Sequence, residues 1–277
     1  MAWTTGNMTT AAGQLLAVLD ANLVTNAYWD IYDDLGGNVK VYRQNDAARN
    51  SVFYVKLDDS NAVFTVVELW EGWDLVAHAG TGQRLYQGSL GSLLYIIKST
   101  DGWALRVRDN NFIFIDTVTR FGNYVGQLNR FDSSKNMPIL ICSGETATPT
   151  YNPLGARNYD GATANSRTAW RCLFNEDGNI KTIFPWAQQS SATENSVGGT
   201  PAAVCQTILG EIRIRETPVY SMDKWLLMGV LDGVMHTNTT DDSHALADGE
   251  TVDVNGVIWE MIKSAGGDAV GFIVEKV

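Results

Sequence analysis

The densest collection of groups able to do chemistry is Glu68-Leu69-Trp70-Glu71-Gly72-Trp73-Asp74, three acids set among tryptophans. Paired carboxylates beside aromatic rings are what glycoside hydrolysis uses. On a strand, though, successive side chains alternate, so Glu68, Trp70 and Gly72 face one way and Leu69, Glu71 and Trp73 the other. The acids are divided between two faces, and the stretch reads as a strand ending in a Trp-rich packing or interface corner. The three histidines, His78, His236 and His244, have no zinc-ligand spacing. His236 and His244 flank Asp241-Asp242 in what reads as a solvated turn, and Asn175-Glu176-Asp177-Gly178-Asn179 lacks the ligand alternation of a calcium loop. Gly80-Thr81-Gly82 and Gly88-Ser89-Leu90-Gly91 lack the Gly-Lys-Ser/Thr ending of a phosphate cradle. Ser99, Ser143 and Cys142 stand outside any Gly-x-Ser-x-Gly elbow. No catalytic, metal-binding or cofactor-binding residue is therefore predicted. Cys142, Cys172 and Cys205 are odd in number and read as free thiols, with pairing between chains after assembly as the alternative.

With 20 Lys+Arg against 31 Asp+Glu the chain carries a formal charge of −11, which disfavours general attraction to phosphate backbones or anionic lipid. Arg106, Arg108, Arg120 and Arg130 form the nearest approach to a basic patch, and Asp101, Asp109, Asp116 and Asp132 dilute it. Direct nucleic-acid binding is not expected. The start, Met-Ala-Trp-Thr-Thr-Gly, has no basic region followed by an apolar core, and no run of about 18 apolar residues exists, so the expectation is a soluble compartment and no membrane.

The elements that must position these residues are mostly strands. Leu15, Leu16, Leu19 and Leu23 fall on one face at helical spacing, and Thr9 or Thr10 can cap a helix starting there, over about residues 9–24. Beyond it the period becomes two: Val39–Arg43, Val52–Leu57, Ala62–Leu69, Leu93–Ile97, Trp103–Arg108 and Asn111–Ile115 are β-branched and aromatic runs joined by Gly, Asn and Asp turns. Residues 143–202 thin into Gly, Thr, Ser, Asn and Pro with spaced aromatics, Tyr151, Tyr159, Trp170 and Trp186. This predicts an extended arm anchored on neighbouring subunits, with Trp70 and Trp73 as further interface candidates. Strands resume from Glu211, and Val254-Asn255-Gly256-Val257 is the strongest turn signal, a two-residue hairpin. The fold class predicted is mainly β (α+β): antiparallel sheets or a sandwich, an N-terminal amphipathic helix, and a small C-terminal β unit around Trp225, Trp259 and Phe272. The expected division is 1–142 for helix and β domain, 143–210 for the arm, and 211–277 for the C-terminal unit.

Several short blocks carry a resemblance: Trp3-Thr-Thr-Gly6 with the Leu15–Leu23 helix and Trp29-Asp-Ile-Tyr32, then Tyr54-Val-Lys-Leu57, Trp70-Glu-Gly-Trp-Asp74, Asp101-Gly-Trp103 and Tyr124-Val-Gly126. Trp225–Val234, Asn255-Gly-Val-Ile-Trp259 and Gly271-Phe-Ile-Val274 extend it to the C-terminal end. Together they resemble tailed-bacteriophage virion structural proteins, although Asn136-Met-Pro138 replaces an aromatic-proline cluster found in similar chains. The resemblance implies a non-enzymatic subunit of a phage neck or collar, tail or baseplate, made in the host bacterial cytoplasm and placed in the virion. It also implies a homo-oligomeric ring or sleeve whose partners are copies of itself and other virion structural proteins. Two alternatives use the same residues: a baseplate or fibre-associated carbohydrate-binding module with Trp70, Trp73 and Trp103 as sugar platforms, and a tail-associated hydrolase using Glu68, Glu71 or Asp74.

Overall fold

Alternation of β-branched and aromatic with polar residues drives most of the chain into antiparallel strands. The computed structural model describes residues 3–46, 51–85, 94–98, 102–117, 122–130, 140–142, 170–174, 179–185, 214–221, 227–238, 247, 249–263 and 270–276. Strand β1 (Thr4–Gly6) leads to helix α1 (Gln14–Asn22), which ends in a 3₁₀ turn, Leu23–Thr25. A meander comes next, β2 (Trp29–Gly36), β3 (Val39–Asp46), β4 (Ser51–Asp58), β5 (Phe64–Asp74) and β6 (Ala79–Leu85), with β7 (Leu94–Ile97) paired to the first half of β5. These strands make a six-stranded sheet.

The second sheet has 13 strands. It takes in β1 and then β8 (Trp103–Val107), β9 (Asn111–Asp116), β10 (Gly122–Gln127), β11 (Asn129–Arg130), β12 (Leu140–Cys142), β13 (Trp170–Phe174) and β14 (Asn179–Pro185). It continues through β15 (Ile214–Ser221), β16 (Leu227–Asn238), β17 (Thr251–Val254), β18 (Val257–Lys263) and β19 (Val270–Glu275). The order is β1-β8-β9-β10-β12-β13-β14-β15-β16-β19-β18-β17, and β11 pairs with β16. Because β10 runs through Leu128 directly into β11, the pairing β10-β12-β13-β14-β15-β16-β11 returns to its starting strand, a small closed ring of strands within the larger sheet. The first half of β16 faces β11 and its second half faces β19. That strand therefore joins the ring to the C-terminal meander.

The core lies between the two sheets. Phe53, Val55, Leu57, Val67 and Leu69 of the smaller sheet meet Leu105, Val107, Phe112, Phe114 and Val125 of the larger, and Leu15, Leu16, Leu19 and Leu23 close it from the helix side. Each fully buried leucine of this kind contributes about 1.5–3 kcal/mol by leaving water. The mainly-β fold with an N-terminal helix packed through those four leucines is as the sequence predicts. Val254↔Val257 pair across Asn255 (φ 56) and Gly256 (φ 83), as the Asn-Gly signal requires. Trp259 and Met261 build a small core there with Val252, Val254 and Met235. Trp225 lies outside the described residues, and Phe272 is placed in β19.

Two expectations change. The helix begins at Gln14, not at Thr9 or Thr10, with Gly13 in the left-handed region (φ 79) at its N-cap. Its first amides are satisfied from outside: the Asp59 carboxylate accepts the backbone N–H of Leu15 at 2.9 Å and of Leu16 at 3.3 Å. A carboxylate at a helix N-terminus both caps free donors and meets the positive end of the dipole, which removes the need for a threonine cap. Second, the 143–210 segment contains β13 and β14, which pair on either side of Asn175–Gly178 and connect β12 to β15. Averaged over the whole segment, polar composition hides two short stretches rich in aromatic and aliphatic residues, Trp170–Phe174 and Ile180–Phe184, bracketing a turn signal. The rest of that segment lies outside the described residues.

Candidate functional site

One face of the smaller sheet packs on the core; the other gathers the side chains with chemical character. The register aligns Asp30 with Arg43 across β2 and β3, Arg43 with Tyr54 across β3 and β4, and Tyr54 with Trp70 across β4 and β5. Directly opposed residues on antiparallel strands share a face, so these four form one row. The Arg43 guanidinium forms a two-pronged ion pair with Asp30, donating from Nε at 3.1 Å to Oδ1 and from Nη2 to Oδ2. It also lies over the Tyr32 ring at 4.7 Å. Tyr32 stands in a bulge where β2 advances from Ile31 to Asp33 against one step of β3. This brings its ring edge-on to Tyr54 at 5.0 Å, and burial pushes the Tyr54 phenol above its ordinary range. The next row, Val41, Lys56 and Glu68, contains an ion pair at 3.7 Å between Lys56 and Glu68.

Trp70 donates its indole N–H to Glu68 at 3.1 Å, and its ring lies on the backbone of Gly80, where a Cβ would stand 2.0 Å from the ring. No other residue type fits beneath that indole. Strict alternation places Trp70 and Trp73 on opposite faces, yet the two rings meet edge-on at 6.3 Å. A bulge in β6, where Arg84 pairs with Trp70 and Thr81 with Gly72, coils the ribbon and brings Trp73 round. Trp73 is buried and donates its indole N–H to Asp33 at 2.8 Å. His78, at the hairpin end with φ 50, reaches the same carboxylate oxygen through Nδ1 at 2.9 Å. Burial raises the Asp33 pKa, but the bonds from His78 and Trp73 outweigh that and hold it below its ordinary value. A direct bond from β5 to β2, with β3 and β4 between them, requires the sheet to curl toward this face, since flat strands stand about 4.8 Å apart. The face is a trough.

The other candidates are dispersed. Trp103 is buried and stacks on Phe114 at 6.4 Å. Asp74 accepts the N–H groups of Val76 and Ala77, closing its own turn. Trp170 stands at the start of β13; Cys142 is opposite Arg171, and Cys172 opposite Ile141. Tyr151, Tyr159, Trp186 and Cys205 lie outside the described residues, as do His244 and Arg120.

Two polar clusters escaped the sequence reading because their members are far apart in the chain. Lys98 and Asp59 form a fully buried ion pair at 2.6 Å. The ammonium also donates to the carbonyls of Ala11 (2.9 Å) and Asn61 (2.5 Å), while Thr65 donates to Asp59. The second cluster lines a cleft of about 380 Å³ between β8, β16 and β19. Arg106 donates to the Glu275 carbonyl at 2.7 Å and to its carboxylate, and Arg108 bridges that carboxylate and Asp232, the latter at 2.8 Å. Burial raises the Glu275 pKa, but the two arginines overcome it and hold the group below its ordinary value. Two of the four arginines weighed as a basic patch, Arg106 and Arg108, are thus engaged in ion pairs within the chain. Among the described residues no cluster of His, Cys, Asp and Glu is arranged to hold a metal, and no helix is long and apolar enough to cross a membrane. No protein-family model matches the sequence, and no curated protein matches it.

Proposed function

We propose that this chain is a non-enzymatic structural subunit of a tailed-phage virion, repeated as a homo-oligomeric ring or sleeve in the neck, collar or tail. The observation that carries the reading, beside the sequence blocks that resemble such proteins, is the open ending of both sheets. Among the described residues β17 pairs only with β18, and β1 only with β8, at the two ends of the larger sheet; β2 ends the smaller one. A strand with one unpaired edge presents a row of N–H and C=O groups that a neighbouring copy can complete. β17 carries no Pro or Lys to block such pairing, and its residues alternate between exposed and half-buried. Closed rings repeat one contact around an axis, and edge pairing suits that requirement. Structural roles for Glu68, bonded to Trp70, and Asp74, closing its turn, favour the non-enzymatic reading over hydrolysis.

The deciding experiment is cryo-electron microscopy of the parent particle, reading copy number and symmetry for this subunit. A symmetric ring is expected. One asymmetric peripheral copy, or turnover of cell-wall or capsule polysaccharide by the purified chain, would overturn the reading.

A further inference from the structure

The trough of the smaller sheet has a composition and geometry that the virion reading does not use, and a role for it stands or falls independently of that reading. Tyr32, Tyr54 and Trp70 are half-buried, so each remains partly accessible. They are fixed: Tyr32 and Tyr54 meet edge-on, and Trp70 lies on Gly80 with its N–H held by Glu68. One face of the indole is therefore occupied by backbone, and the accessible part of the ring is what a ligand can reach. Rings held in this way lose little freedom when something stacks on them.

The polar groups beside the rings are paired already. Asp30 with Arg43, and Lys56 with Glu68, cancel each other's charge, and their side chains remain 44%, 29%, 28% and 15% exposed. A surface whose charges are held in pairs, yet rich in fixed acceptors and donors, matches an uncharged ligand with many hydroxyls. A protein partner is matched less well, because the exposed large hydrophobic side chains among the described residues, Val24, Ile31, Val63, Leu75 and Val76, are not among the trough's residues. Rings flanked by ion pairs suit the C–H faces and hydroxyl edges of a sugar chain better than the wholly apolar centre of a protein interface.

We propose that this trough binds a neutral oligosaccharide, with Tyr32, Tyr54 and Trp70 as the stacking platform and Asp30, Arg43 and Glu68 as the hydrogen-bonding fringe. Two of the three tryptophans that the sequence offered as sugar platforms, Trp73 and Trp103, are buried and take no part. Tyr32 and Tyr54, brought together by a bulge, replace them.

The test titrates the full chain with cellotetraose, chitotetraose and maltotetraose, using tryptophan fluorescence and saturation-transfer NMR. At least one is expected to saturate below about 10 mM, and Tyr54→Thr and Trp70→Leu are each expected to weaken it by about tenfold or more. Val76→Ser, at the hairpin tip, should leave the titration unchanged. Should either trough variant lose its β circular dichroism, Glu68→Gln, which keeps the shape and an acceptor, replaces it, with weaker binding expected and unaltered binding counting against the site. The proposal is overturned if none of the three sugars saturates, or if the variants bind as the parent does. It is also overturned if the chain proves to be a dimer that Trp70→Leu dissociates, because the trough would then be covered by a second copy.

Discussion

Asp59 carries more of this molecule's local order than any residue the sequence draws attention to. Its carboxylate caps α1, accepts from Thr65 and neutralises Lys98, while its own backbone N–H and C=O bond Asn38 and Gly13. Asp59→Ala would leave a fully buried ammonium without its counter-charge and the helix amides without an acceptor. Breaking a buried pair by removing one partner costs about 3–5 kcal/mol, and a lower urea midpoint with unchanged slope would report it. Asp59→Ala combined with Lys98→Met should lose less than the two single losses added together, since no buried charge is then orphaned. Gly80 makes a different kind of demand: the space its Cβ would need is filled by Trp70. Gly80→Ala is expected to lift the indole off the strand, altering tryptophan emission and costing about 1–3 kcal/mol of overpacking strain. An unchanged emission spectrum would mean that the ring does not rest there.

Among the elements, the β17–β18 hairpin was the most legible in sequence and the helix start the least, for related reasons. A two-residue turn is decided by backbone conformations that Asn255 and Gly256 tolerate by themselves. Gly256→Ala meets nothing within 4 Å, so its cost is conformational alone, about 1–2 kcal/mol for a left-handed non-glycine residue. Denaturant unfolding should show that loss, and amide exchange should show it concentrated in β17 and β18. A helix N-terminus instead needs an acceptor from anywhere in space. Thr9 and Thr10 were the local candidates, but Asp59, more than 40 residues away in the chain, takes the position and moves the start to Gln14. Strand bulges behave similarly. Glu68 to Asp74 was readable as a strand, while the side on which Trp73 emerges depends on an extra residue in β6, its partner.

At the scale of the whole molecule, the N-terminal and C-terminal ends are bound to one another. Trp3 donates its indole N–H to the Glu275 carbonyl, and Arg106 and Arg108 hold the Glu275 carboxylate, so the last strand is tied to β8 as well as paired in its own meander. The Glu275 pKa is depressed from an ordinary value of 4.5, so its contribution to stability is fully present above about pH 4.5 and is lost as pH falls through the lower folded value. Acid titration of the parent should therefore lose stability more steeply below that pH than Glu275→Gln does, the variant having forfeited the interaction at every pH. Equal acid profiles would show that the carboxylate contributes nothing in the folded state. This tie also bears on assembly: a ring built by edge pairing at β17 presupposes that the meander carrying it is fixed to the body.

The amino-acid sequence by itself determined the class of fold, the amphipathic face of α1, most of the strand runs and the Asn255-Gly256 turn. Each of these is set by side-chain periodicity or by φ and ψ preferences within a few residues. It also carries no recognisable catalytic motif. Only the tertiary structure decided that Tyr32, Tyr54 and Trp70 share a trough, that Trp73 turns inward to Asp33, and that Lys98 and Glu275 find their partners. These pairings join residues 16 to 169 positions apart. They depend on register and bulges, where a shift of one residue moves a side chain to the opposite face. Local pattern specifies which faces are apolar; which polar groups meet across them is decided only when the strands are laid side by side.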